Sequence, residues 1–348
     1  MRLSGAAGCA SGVGRMTLEW CLRRFRFVRR LEERSRRLED AVRRSEEAVR
    51  RTEEAYRRIE GENAEMVADT ALWRKFFPPG HFHSPLPSSR EIAEAFERDA
   101  FGPPFSAVDL NEAGQFDLLK KFAEYYPEQP FPEQPAPGRR FYLDNPSYGR
   151  FDAIILYCML RHLQPKQIIE VGSGFSSAAM LDVNALAMDG RMSLTLIDPD
   201  TSRVRNLLLP EDYARINLVQ KPVQDVPLEL FSSLEANDVL FIDSSHVSKV
   251  GSDVNRLFFD VLPVLRAGVH VHIHDVTGRL EYPRDWFEQG RAWNEQSLLR
   301  AFLMYNRAFS VVFFSSWIHN VHQRFLVERM ASCAGGGGGQ IWLCKNRC

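Results

Sequence analysis

The sequence predicts an α/β fold, a largely parallel sheet with helices on both faces, preceded by a long charged helix. Three observations carry this. Gln167-Ile-Ile-Glu-Val-Gly-Ser-Gly-Phe-Ser-Ser177 is an apolar strand that runs through a glycine turn into a helix. Residues 194–200, 238–246 and 268–276 are three further apolar runs that end in polar residues, as core strands do at a working edge. Residues 28–62 repeat every seven positions. A chain of 348 residues can bury a catalytic core and one accessory region, and 45% hydrophobic with 26% charged residues is ordinary for a soluble protein.

The first segment, 1–70, carries five consecutive heptads from Val28 to Glu62. Placing Val28, Val42, Val49 and Tyr56 at a, with Leu31, Leu38 and Ile59 at d, gives a coiled-coil seam interrupted by Ser35, Ser45 and Thr52. Glu39 to Arg43, Glu46 to Arg50 and Glu53 to Arg57 stand four residues apart in the favourable order, each pair worth about 0.2 to 0.5 kcal/mol. The strict repeat implies a homo-oligomer or a partner helix. Residues 1–15 lack an apolar export core, and no run approaches the roughly 18 residues that span a bilayer. Phe25, Phe27 and Val28 read as packing residues rather than a membrane contact. The six cysteines, Cys9, Cys21, Cys158, Cys333, Cys344 and Cys348, form no CxxC pair and read as reduced thiols of a cytoplasmic protein. A net charge of -1 gives no general attraction to nucleic acid.

Residues 71–150 form a proline-rich cap or linker. Phe77-Pro-Pro-Gly-His-Phe-His-Ser-Pro-Leu-Pro87 and Tyr126-Pro-Glu-Gln-Pro-Phe-Pro-Glu-Gln-Pro-Ala-Pro-Gly138 cannot be helical, and short helices are expected at 90–98 and 115–125. His81 and His83 either line a substrate entrance or sit in a surface loop. A helix over 151–163 leads into the first strand.

The glycine turn selects a ligand. Gly172 and Gly174 let the backbone approach closely, and Ser173 and Ser176 lie where a helix begins. Glu170 at the strand end would repel a pyrophosphate and attract an ammonium and a sulfonium, which points to S-adenosylmethionine. Asp198, ending the next run, is placed to accept the ribose hydroxyls, and Asp243 closes the cofactor edge.

On Glu170-Val-Gly-Ser-Gly174, Asp198, Asp243 and Asp275 the chain resembles the class I S-adenosylmethionine-dependent methyltransferases. It is similar to a bacterial subgroup, some members glycan-associated, through Pro78-Pro-Gly-His-Phe82, Asp243-Ser-Ser-His246, His272-Ile-His-Asp275 and Trp293-Asn-Glu-Gln296. The resemblance runs from Trp73 to the C-terminus. It implies a Rossmann-like domain over 151–348, with last strands at 309–315 and 340–344 paired antiparallel, and a small-molecule or glycan acceptor. Ser177 stands where many nucleotide folds place a third glycine.

Asp243, His246, His274 and Asp275 are the candidates for chemistry. Either histidine would take a proton from an acceptor hydroxyl; a divalent ion held by Asp243 and Asp275 is the less favoured alternative, and no metal site is assigned. His270 and His272 share a face with His274 but point toward a covering helix, as satisfied structural histidines. Asp144-Asn-Pro-Ser-Tyr148 resembles a nucleic-acid amino-methyltransferase motif in the wrong context, though Arg140, Tyr142 and Asn145 can close over a ligand. Gly335 to Gly339 reads as a flexible connector. The rival from another class is a non-catalytic coiled-coil adaptor that keeps the fold.

Overall fold

The computed structural model describes residues 12–74, 77–98, 105 and 107–347, which fall into two compact units, Met1–Pro85 and Leu86–Cys348. The first unit is dominated by helix α1, Gly12–Arg74. The seam residues Leu38, Val42, Val49, Tyr56 and Ile59 are 50% to 64% exposed, so the helix leaves its apolar stripe uncovered. Its ion pairs include Arg29–Glu33, Arg43–Asp40, Arg50–Glu54 and Arg58–Glu62. In three of them arginine comes first, the reverse of the expected order, and at such exposure each contributes little. The side chains of Cys21, Phe25, Phe27, Val28, Leu31 and Ser35, and all of Cys9 and Cys348, lie outside the described residues. No helix among the described residues is long and apolar enough to cross a membrane.

The second unit is built on one seven-stranded sheet. Its strands are β1 Gln167–Val171, β2 Ser193–Ile197, β3 Ile216–Val219, β4 Val239–Ile242, β5 His270–His274, β6 Phe309–Phe314 and β7 Gln340–Lys345. They lie in the order β3-β2-β1-β4-β5-β7-β6, with β7 antiparallel to both neighbours and the pairs among β1 to β5 parallel. The antiparallel pairing of the last two strands agrees with expectation. β3 was not foreseen: it is a four-residue, half-exposed edge strand whose apolar run is broken by Asn217. The strand order reverses between β1 and β4, and the crevice outside their carboxyl ends is where such sheets bind ligands.

The helices cover that sheet and deliver residues to its edge. Helices α2 Ser89–Glu97 and α3 Glu112–Tyr125 precede α4 Arg150–Leu163, and α5 Phe175–Ala187 follows β1. Residues 151–160 of α4 are buried on every face, as expected of a helix sandwiched inside a domain. Gln115 of α3 ties this layer to β6, donating to Leu110 O and accepting from Phe314 N–H. Against the expectation that it cannot be helical, the proline-rich stretch begins with one 3₁₀-helical turn at Tyr126–Glu128, where a proline at the first positions is tolerated, and Phe131 is buried edge-to-face against Phe141, so the segment is packed against the domain.

Candidate active site

The strand β1 ends in a turn that only glycine permits. Gly172 has φ 87°, and a Cβ there would lie 1.8 Å from the Asp243 carbonyl oxygen, so the turn and the end of β4 meet backbone to backbone. Asp198, at the end of β2, accepts from Ser173 N–H at 2.8 Å and from Ser173 Oγ at 3.0 Å through Oδ2. Its Oδ1 accepts only from Asp200 N–H among these bonds, leaving capacity for a ligand hydroxyl. Gly172, Ser173, Gly174, Ser176, Asp198 and Asp243 all line one cavity of about 600 Å³.

Glu170 is placed differently from the sequence reading. It lies fully buried beneath the turn, outside the cavity lining, with the hydroxyls of Ser176 and Ser177 donating to its two oxygens. Burial raises its carboxyl to about 8 against the lowering effect of those hydroxyls. It therefore braces the start of α5 and does not face the ligand. Ser177 in place of glycine is explained as well: its Oγ accepts from Gly174 N–H at 3.0 Å while donating to Glu170, so the extra atoms are hydrogen-bonded within the packing.

The same cavity is lined on its other side by Asp243, His246, His274 and Asp275. His246 Nε2 stands 3.5 Å from Asp243 Oδ1 and 3.3 Å from Asp275 Oδ2, while its Nδ1 bonds Glu295 Oε2 at 2.9 Å. His274 Nδ1 is 3.4 Å from Asp275 Oδ1 and 3.6 Å from Asp243 Oδ1, and its Nε2 is 3.7 Å from Asp152 Oδ2. Burial pushes both imidazoles down, but the carboxylates prevail and hold His246 at about 10 and His274 at about 9. Asp243 is pushed up by burial and drawn down to about 2 by His274 and His246, whereas Asp275 and Glu295 are raised, burial being the main cause. One ligand atom each from Asp243, His246 and Asp275 lies within 4.8 Å of the others, an arrangement able to hold a metal ion.

The sequence showed Trp293-Asn-Glu-Gln296 as a motif without assigning its residues a role, and Asp152 was not singled out; these are the parts that hold the cluster in place. Trp293 packs on the His246 ring with centroids 4.6 Å apart. Asn294 brackets Ser248, accepting its N–H and donating to its carbonyl. Glu295 fixes His246, and Gln296 donates to Asp275 O and accepts from Thr277 N–H. Asp152 of α4 accepts from Gly339 N–H at 2.9 Å, and Gly338 has φ 61° where a Cβ would meet Asp152 and Ser315 side-chain atoms at 2.8 Å. The end of the glycine run is thus pinned rather than a free connector.

Arg140 and Asn145 do not line the cavity. Arg140 is buried with Asp182 at 2.9 Å and Asp212 at 2.6 Å, and Asn145 closes its own turn through Tyr142 O, Tyr148 O and Tyr148 N–H. Ser147 and Tyr148 reach the cavity from that turn instead. His272 stacks on Phe241 at 3.7 Å, and neither ring nitrogen has a hydrogen bond, so it is structural but unsatisfied. His270 Nδ1 is likewise without one. His81 and His83 belong to the first unit, in an aromatic cluster with Phe77 and Phe82.

The family model described as "Methyltransferase domain" matches residues 169–276, which include the glycine turn, Asp198, Asp243, His246, His274 and Asp275. An uncharacterized protein of Archaeoglobus fulgidus is 34% identical over 170 residues, covering 47% of this chain and 76% of that protein. Among solved structures, the Podospora anserina methyltransferase PaMTH1 with bound SAH matches at 16% identity and TM-score 0.37, covering 76% of this chain and all of that one. A putative O-methyltransferase from Klebsiella pneumoniae matches at 18% identity and TM-score 0.36, covering 66% and 90%.

Proposed function

We propose that this chain, whose residues 169–276 match the methyltransferase-domain family model, is a class I S-adenosylmethionine-dependent methyltransferase that methylates the oxygen of a hydroxyl on a small molecule or glycan, the proton leaving at the cluster of Asp243, His246 and Asp275. The supporting observation is that this cluster and the glycine turn line a single cavity at the β1/β4 crevice. The cavity fits the cofactor through the remaining acceptor capacity of Asp198, beside the turn that Gly172 closes against the Asp243 backbone.

The residues divide the work. Asp198 accepts ribose hydroxyls, and Ser173 and Gly174 give the cofactor backbone to lie against. Glu295 holds Nδ1 of His246, so Nε2 is the atom presented to an acceptor hydroxyl and takes its proton as the new C–O bond forms. At about 10 this imidazole is charged at neutral pH, so it serves as a base only once positive charge has entered the cluster. His274, charged between Asp243, Asp275 and Asp152, keeps those carboxylates in place. The cofactor supplies an electrophilic methyl group on a sulfonium.

A divalent cation is the second reading, favoured by the spacing of the three ligand atoms and by Glu295 on the far nitrogen of His246, the usual way a metal-binding imidazole is oriented. Held by Asp243, His246 and Asp275, such an ion would lower the pKa of the acceptor hydroxyl. The free thiols of Cys158, Cys333 and Cys344 support a cytoplasmic setting, and the exposed seam of α1 supports a homo-oligomer or a partner helix.

The test is transfer of labelled methyl from S-adenosylmethionine to cell extract separated into glycan, lipid, protein and small-molecule fractions. Label on oxygen in one fraction is expected; protein that binds the cofactor yet labels nothing would sink the reading. Exhaustive chelation then separates the mechanisms: retained activity supports the imidazole, and loss restored by Mg²⁺ or Mn²⁺ supports the cation.

A further inference from the structure

One arginine that lines the cavity has no ion-pair partner among the described residues. The guanidinium of Arg291 lies 4.9 Å from the centroid of the Trp286 ring and 5.2 Å from that of Trp293, and it lines the cavity. The two indoles are edge-to-face with centroids 5.2 Å apart, and Trp293 in turn packs on His246. Contact with ring faces uses the plane of a guanidinium and leaves the N–H donors at its edge free for a planar anion. Among the described residues no carboxylate forms an ion pair with Arg291, although Asp198, Asp243 and Asp275 line the same cavity.

The cofactor side of the cavity has its own arginine. Arg203 Cδ lies 3.0 Å from where a Cβ on Gly174 would stand, so it drapes over the glycine turn. Arg291 lines the same cavity and stands over Trp293, the ring that packs on His246. We propose that Arg291, set by Trp286 and Trp293, is a specificity-determining residue that binds a carboxylate or phosphate on the acceptor, so that the enzyme methylates a hydroxyl of an anionic molecule. This rests on the O-methyltransferase reading and narrows its substrate class. An arginine–anion contact orients the hydroxyl toward His246 and favours anionic acceptors over neutral analogues, which cannot make the charge-assisted hydrogen bonds.

The test begins with cofactor binding. Arg291 is exposed, so Arg291→Gln should fold, and calorimetry should give S-adenosylmethionine affinity within about two-fold of wild type. A loss of ten-fold or more would assign the arginine to the cofactor and overturn the proposal. Labelled methyl transfer to cell extract is then resolved by anion exchange. The labelled product should be retained, and Arg291→Gln should reduce its kcat/KM about 10- to 100-fold, mainly through KM, with Arg291→Lys recovering part. Phosphatase treatment that abolishes retention identifies a phosphate monoester, and carbodiimide amidation that does so identifies a carboxylate. A neutral labelled product, or equal labelling by wild type and Arg291→Gln, overturns the anion site while leaving the transferase reading intact. No product at all from wild type overturns both.

Discussion

Replacing Glu170 with glutamine probes the cofactor turn from beneath. Glu170 is fully buried, and although Ser176 and Ser177 both donate to it, burial still lifts its carboxyl from 4.5 to about 8. Between those two values the folded chain keeps a proton that the unfolded chain has lost. Stability therefore falls as pH rises through this window, by about 1.4 kcal/mol per pH unit where the difference is a whole proton. Below the window both states are protonated and there is no penalty; above it both are ionised and the penalty is constant, at most about 5 kcal/mol. Glutamine keeps the shape, and its amide can donate to the serine oxygens, but it cannot ionise. The stability of wild type relative to Glu170→Gln should therefore decline by a few kcal/mol between about pH 5 and pH 8. Urea unfolding of both proteins at several pH values across that range, followed by tryptophan fluorescence, measures the difference. A difference that stays constant with pH would refute protonation by burial and return Glu170 to the role of a charged group attracting the cofactor.

Four further outcomes are expected. Asp198→Ala should weaken S-adenosylmethionine binding by about 1.5 to 3 kcal/mol in calorimetry, and equal affinity would withdraw the ribose assignment. His246→Ala or His274→Ala should lower turnover about 10²- to 10⁴-fold with cofactor affinity nearly unchanged; losses of only a few-fold in both would leave positioning alone to account for catalysis. Glu295→Gln should cost about 10- to 100-fold in turnover, since it disturbs the orientation of His246 without touching the cofactor turn, and a change within about two-fold would refute that role. Removing residues 1–66 should lower the mass seen by light scattering, and an identical monomeric mass would mean that α1 does not self-associate.

The sequence made the sheet legible where chemistry and burial coincide at a strand end. β1, β2, β4 and β5 are apolar runs closed by polar residues, so their order and their working edge could be read together. β3 escaped because an edge strand needs no continuous apolar run, and Asn217 breaks this one. The bracing roles within the Trp293-Asn-Glu-Gln296 motif escaped for another reason. Glu295 acts on His246 and Gln296 on Asp275, contacts across 49 and 21 positions that no local pattern encodes. Asp152 was hidden inside an apolar helix, where its bonds to Gly339 become visible only once β7 returns beside β5. Glu170 was legible as a strand-end acid, but sequence could not say that its side chain turns inward to the serines.

The bracing contacts account for the backbone of the site. His246 and Asp275 both adopt left-handed conformations, with φ 59° and 54°, which cost a non-glycine residue about 1 to 3 kcal/mol each. They persist because one helix start, at Glu295–Leu303, bonds both strand ends. Asn294 N–H and Glu295 N–H both donate to His246 O at 3.1 Å, and Gln296 donates to Asp275 O at 3.0 Å. The left-handed turn at each strand end carries its side chain back over the crevice, and the shared helix start sets the two side chains relative to each other. This explains why Trp293-Asn-Glu-Gln296 stands as a continuous motif although none of Asn294, Glu295 and Gln296 lines the cavity. A change in any of its four residues alters how Asp243, His246 and Asp275 converge, which is the property that either an imidazole base or a bound cation requires.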